Sequence, residues 1–284
     1  MSRAVQVIAV TGGKGGVGKT NIAVNLGLAL ADQGKRVVLF DADLGLANVD
    51  VLLGLRSEYN VSDVLSGKCR LRDVMVKTDN GLRIVPASSG LQNMASLSDA
   101  EHRALIDAFD DLADEMDVLI IDTAAGISST VISFVRAAQE ILAVVCNEPS
   151  SITDVYALIK LLNRDYDIER FRIVTNMTRS QQEAQSLYNN LLTVTERFMD
   201  VTLHHIGNIP YDETIKKAVR RQKPVLQYAP RSAASLALRK LAEKVSELPL
   251  QPSPGGHLEF FIHSLVQPLP VTNPDQTHEA RIVT

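Results

Sequence analysis

The sequence predicts an α/β fold, a doubly wound, mainly parallel sheet with helices on both faces. Three observations predict it. Short apolar runs alternate with longer helical stretches along most of the 284 residues. The runs are apolar almost throughout, as in strands covered on both faces. A glycine-rich segment, Gly13 to Thr20, follows the first run directly, at the carboxyl edge where such sheets bind ligands.

Taken in order, 5–10 (VQVIAV) reads as the first strand and 20–33 as the helix after the glycine segment. The β-rich run 36–41 (RVVLFD) ends in a carboxylate, and 82–86 (LRIVP) is a shorter run of the same kind. A helical stretch at 98–113 precedes the strand 117–122 (DVLIID). Helix 127–138, strand 140–146 (EILAVVC), helix 151–164 and strand 171–176 (FRIVTN) continue the alternation. Helix 180–196, strand 203–209, and helices 212–221 and 232–247 complete it. The domain is therefore expected over 1–248, with no internal repeat. Residues 249–256 (PLQPSPGG) read as a linker and 268–284 as a disordered tail. Between them, over 257–267, Leu258, Phe261, Ile262, Leu265 and Val266 make an apolar helical stripe. So short a helix is marginal in water alone, and its polar side carries His257, Glu259 and His263 but no Lys or Arg. Interfacial helices usually carry basic residues there, which favours a protein surface over a peripheral membrane contact.

The net charge of −4 argues against a general nucleic-acid binder. Cys69 and Cys146 lie far apart and make neither a disulfide framework nor a metal cluster. No signal peptide and no apolar run of membrane-spanning length are seen. These features suit the cytoplasm. Residues 214–242 hold Lys216, Lys217, Arg220, Arg221, Lys223, Arg231, Arg239 and Lys240 without an acid, and read as a solvated face.

The chemistry lies at the strand ends. Gly13 through Gly18, Lys19 and Thr20 fit the phosphate-loop pattern, with Gly15, Gly16 and Val17 inside it and Asn21 next along the helix. The loop's amides form an anion nest, completed by the helix N-terminus. Lys19 would reach the β- and γ-phosphates, and the Thr20 hydroxyl would ligate Mg²⁺. Lys14 is a second lysine that an ordinary loop does not need. The second strand ends in Asp41 and Asp43; one carboxylate would hold Mg²⁺ through water, the other would orient an attacking water. Asp122 ends a further apolar strand as the other half of the metal site. Gly126 would bring a backbone N–H to the γ-phosphate.

These segments resemble the MinD/ParA family of ATPases over roughly 5–248: the deviant loop from Lys14 to Thr20, the 41–43 switch, and the 122–126 switch. Ala124 stands where division-site members often have proline. The resemblance implies ATP and Mg²⁺ as cofactors and an ATP-sandwiched homodimer, in which Lys14 contacts phosphate across the interface. It assigns water activation to Asp43. It has Glu148 contact nucleotide across the interface and Asp154 pair with Lys14. It gives the adenine contact to Asn176, whose side chain can match the ring's adjacent donor and acceptor. It also makes Ile209, Pro210, Tyr211 and Asp212 the loop over base and ribose. Phrases outside the nucleotide motif, such as DADLGLANVDVLLGL (41–55) and NEPSSITDVYALIKLLNRD (147–165), resemble the flagellar-number branch, FleN/FlhG. That branch implies antagonism of a σ54-dependent AAA+ flagellar transcription activator (FleQ-like), coupling to the FlhF GTPase, and no sequence-specific DNA binding by the chain itself. No DQAxxLR motif, which some relatives use to activate that GTPase, is present. A patterning ATPase acting at membrane or on DNA is the alternative.

Overall fold

The computed structural model describes residues 5–43, 48–55, 57–87, 101, 105, 108–109 and 112–249. The linker beyond Pro249, the 257–267 helix and the tail lie outside these residues, as does most of the expected 98–113 helix. The strands are β1 Gln6–Thr11, β2 Val37–Ala42, β3 Val76–Lys77, β4 Arg83–Val85, β5 Val118–Thr123, β6 Glu140–Cys146, β7 Arg170–Thr178 and β8 Thr202–Pro210. They lie in the order β3-β4-β2-β5-β1-β6-β7-β8. All neighbours are parallel except β3 with β4.

The helices are α1 Lys19–Asp32, α2 Val49–Leu53, α3 Val61–Leu65, α4 Leu71–Val74, α5 Ser129–Ala137, α6 Pro149–Tyr166, α7 Gln181–Glu196, α8 Glu213–Arg220, α9 Val225–Tyr228 and α10 Ala233–Ser246. Strand alternation divides the core. Ile8, Val10, Leu39, Ile120, Leu142 and Val144 point to one face, where they meet α1, α2, α8, α9 and α10. Val7, Phe40, Leu119 and Ile121 point to the other face, around Phe109 and Phe134. Ala9, Ile141, Ala143 and Val145 extend that second layer under α5, α6 and α7. The strand order reverses beside β1, so the loop after β1 sits in the crevice between the two halves of the sheet, where open α/β sheets bind ligand.

Candidate active site

The glycine segment turns directly into α1. Its N-cap is Gly18, left-handed at φ 94, with no capping side chain and no acid in the first helical turn. The first amides of α1 are thus left for an anion. Two glycines are required by close approach. A Cβ on Gly13 would lie 2.3 Å from the backbone carbonyl carbon of Asp154 in α6, and one on Gly18 would lie 2.4 Å from Asn176 Nδ2.

A cleft of about 660 Å³ opens above this loop, lined by Gly15, Gly16, Gly18, Lys19, Thr20, Asn21 and Asp43, with Thr123 to Ala125 opposite. Most of the predicted phosphate-site residues therefore meet in one place. Lys19 is buried, and its ammonium makes one long contact, 3.4 Å to the Lys14 carbonyl. Burial pulls its pKa down, while Asp122 and Asp43 pull it up. It is a cation without a good partner, facing a phosphate-sized space.

Asp41 and Asp122 lie side by side on β2 and β5, both buried. They are not equivalent. Asp41 Oδ1 accepts the Asp43 N–H (3.2 Å), and Oδ2 accepts those of Asn48 (3.0 Å) and Val49 (3.1 Å). Its pKa rises to about 7 through burial, against those three hydrogen bonds. Asp41, expected to hold a metal through water, also anchors the start of α2 through these bonds. Asp122 has no partner at good hydrogen-bond geometry, and only the Thr20 hydroxyl comes close enough to act on it. Burial first, then Asp41, raise it to about 8, opposed by nearby Thr20 and Lys19. A buried, unpaired carboxylate beside a threonine hydroxyl fits a hard cation. The described residues contain no cluster of three or more acidic, His or Cys donors, so phosphate oxygens and water would complete the shell, as Mg²⁺ prefers.

Beside the cleft, an apolar recess is lined by Asn21, Ile22, Asn176, Met177, Ile209 and Val225 among others. Asn176 Nδ2 donates to the Val17 carbonyl at 2.7 Å, which fixes the amide's orientation. Its Oδ1 is buried and unpartnered. One Nδ2 hydrogen holds the loop, and the amide keeps its second N–H and its Oδ1, the donor and acceptor expected to face adenine.

Asp212 departs further from expectation. Oδ1 accepts from the Thr214 N–H (2.9 Å) and hydroxyl (2.6 Å), and Oδ2 from the Ala234 N–H (3.2 Å). It caps α8 and joins it to α10. Burial pushes its pKa up, but those hydrogen bonds outweigh it and the net shift is downward. Tyr211 is half exposed, and its N–H donates to the Thr178 carbonyl at 2.8 Å. Gly126, expected to face a γ-phosphate, donates its N–H to the Gly12 carbonyl at 3.3 Å.

Lys14 stands at the rim. Its ammonium meets Glu148 Oε2 at 2.6 Å and donates to Ser150 Oγ at 2.9 Å. The hydrogen bond to Glu148 raises its pKa. Asp154, expected to pair with it, acts only through space and backs Gly13 instead. Sequence reasoning missed Asn48, whose Nδ2 donates to Asp43 Oδ2 at 3.0 Å. It also missed Val51, Met177 and Val219 on the cleft wall. The only signal for these was proximity in sequence to the switch or to the base loop.

Loop, paired carboxylates and switch segments define a P-loop nucleoside triphosphatase with a second, deviant lysine. Residues 3–246 match the family profile described as "ParA: NUBPL iron-transfer P-loop NTPase". The chain is 60% identical to Antiactivator FleN of Pseudomonas aeruginosa, over 93% of this chain and 94% of that protein. It is 35% identical to the flagellum site-determining protein YlxH of Helicobacter pylori, over 83% and 80%. The septum site-determining protein MinD from Pyrococcus horikoshii, solved with Mg-ADP, superposes with a TM-score of 0.71 at 27% identity, covering 86% of this chain and 96% of that one. The chain belongs to the ParA/MinD family of P-loop ATPases. It is an ATP-binding ATPase, and ATP with Mg²⁺ is its nucleotide.

Proposed function

We propose that this chain is an ATP-switched antiactivator that sets flagellar number. ATP binding makes a homodimer, and the dimer presents a face that binds a σ54-dependent AAA+ activator (FleQ-like). Hydrolysis resets it, and functional coupling to the FlhF GTPase belongs to the same reading. The observation that carries it is the 60% identity to Antiactivator FleN along nearly the whole of that protein, with the flagellum site-determining relative in support. No helix among the described residues is long and apolar enough to cross a membrane. The proposed site of action is the cytoplasm, with 257–267 as a further contact.

Within the site, Lys19 and the loop amides from Gly13 to Thr20 bind the phosphates, with Asn21 beside them. Thr20 and Asp122 hold Mg²⁺, which neutralises phosphate charge when bound. Asp43, held by Asn48, orients the attacking water. Lys14 leaves Glu148 and Ser150 to contact the partner subunit's nucleotide, one cation supplied in trans to the developing charge. Glu148 is then free for nucleotide across the interface. Asn176 accepts from adenine, and Ile209, Pro210 and Tyr211 line the base.

The test compares Asp43→Ala and Lys19→Ala by light scattering and by capture of a purified σ54-type activator, each with ATP. Asp43→Ala should form a stable dimer that retains the activator, and Lys19→Ala should do neither. Similarity to Bacillus subtilis septum site-determining MinD, 32% over 87% of the chain, favours a patterning ATPase as the second reading. ATP-dependent binding to anionic vesicles, or salt-sensitive DNA binding, without activator capture would establish that one instead.

A further inference from the structure

We propose that Gln222 is a positioning residue for hydrolysis: it fixes helix α2, through α2 the side chain of Asn48, and through Asn48 the carboxylate of Asp43. The inference rests on the water-orienting role given above to Asp43.

Helix α2 spans five residues, Val49–Leu53, too few to hold themselves in water. Val49 and Leu52 enter the core, and Asp41 ties down the amides at its start. The other end depends on Gln222. Its Nε2 donates to the Val51 carbonyl at 3.2 Å, one of the helix's terminal acceptors, which lack intrahelical donors. Its side chain also lies against the cap residue Gly54, where an added Cβ would come within 3.2 Å of Gln222 Cβ.

The backbone at Gln222 makes the side chain's presence informative. Gln222 follows α8 in the left-handed region, φ 52. The Lys223 N–H returns to the Ala218 carbonyl (3.1 Å), and the Gln222 N–H to Val219 (2.9 Å). That is a helix-ending turn whose left-handed position favours glycine. A glutamine here works against the backbone preference, and its contact with α2 is what the side chain gains. The chain of contacts then runs from Gln222 to Val51, along one helical turn to Asn48, and from Asn48 Nδ2 to Asp43 Oδ2 at 3.0 Å.

The experiment measures steady-state ATP hydrolysis of the full chain for Gln222→Gly, Gln222→Glu and Gln222→Lys, beside Asp43→Ala. Glycine suits the backbone but removes the side chain. Glutamate keeps the length but has no N–H to give. Lysine keeps a donor. We expect kcat to fall about five-fold for the glycine and glutamate variants, the effect of one hydrogen bond. KM for ATP should stay within about two-fold, because the contact acts on the water and not on nucleotide binding. Gln222→Gly should melt no lower than wild type, which separates positioning from loss of fold. Gln222→Lys should retain the wild-type rate. Wild-type kcat in both the glycine and glutamate variants, with Asp43→Ala inactive, overturns the inference alone. If Asp43→Ala hydrolyses ATP at the wild-type rate, the reading of Asp43 falls and this inference with it.

Discussion

Replacing Asp122 with asparagine should stabilise the nucleotide-free protein while disabling it. Burial, with Asp41 beside it, raises the folded pKa of Asp122 to about 8 from the ordinary carboxylate value of 3.8. Its proton is therefore held in the folded state and lost in the unfolded state at pH 7. A raised pKa contributes stability in full below about 3.8, and that contribution is lost as pH rises through about 8. At pH 7 the loss spans roughly 3 units at 1.36 kcal/mol each, about 4 kcal/mol. Asparagine has no such pH dependence. It still buries an amide where Asp122 has no partner at good hydrogen-bond geometry, which returns about 1–3 kcal/mol of the gain. The net expectation is a variant more stable by about 1–3 kcal/mol at pH 7, or roughly 2–10 °C in Tm. The assay is denaturant unfolding of wild type and Asp122→Asn without nucleotide, from pH 5.5 to 8.5. The variant's advantage should grow with pH across that range, and Mg²⁺-ATP should raise the Tm of wild type more than that of the variant. A difference that is flat with pH, or a variant less stable at pH 8, would refute the assignment of Asp122 as an unpaired buried carboxylate reserved for a cation.

Three further outcomes follow from the geometry. Gly13→Ala places a Cβ 2.3 Å from the Asp154 backbone, so it should lose about 1–3 kcal/mol of stability together with ATP binding, measured by thermal melts and nucleotide titration. Asn176→Ala removes the bond to the Val17 carbonyl and the free acceptor; KM for ATP should rise about ten-fold, one to two polar contacts' worth, with kcat nearly unchanged. Asp212→Ala should cost about 1 kcal/mol as the loss of a helix cap and leave KM for ATP within about two-fold; a large KM effect would restore the ribose contact that its hydrogen bonds argue against.

Much of the strand framework was legible because those residues are covered on both faces. The expected run 140–146 is β6 residue for residue, and 36–41 differs from β2 by one. The short elements were not legible. α2, α3, α4, α9 and the two-residue β3 lie below the length at which periodicity or propensity speaks, and they exist because buried residues such as Val49, Val61, Leu71 and Val225 seat them. The phosphate loop was legible because its geometry is local: glycines at set spacings, then a helix. Its supports were not. The Lys14–Glu148 pair spans 134 positions and the Asn176–Val17 bond 159.

The fold class, the phosphate-loop pattern and the family could be read from the chain alone, since each rests on residues near one another or on a pattern of burial. The partner of each polar group became visible only in the folded chain. There Asp41 holds the amides at the start of α2, Asp212 caps α8, and Gln222 reaches α2 across 171 positions. The physical reason is that a carboxylate or amide takes its role from the donors packed around it. Those donors come from elements that meet only when the sheet and its helices close on one core.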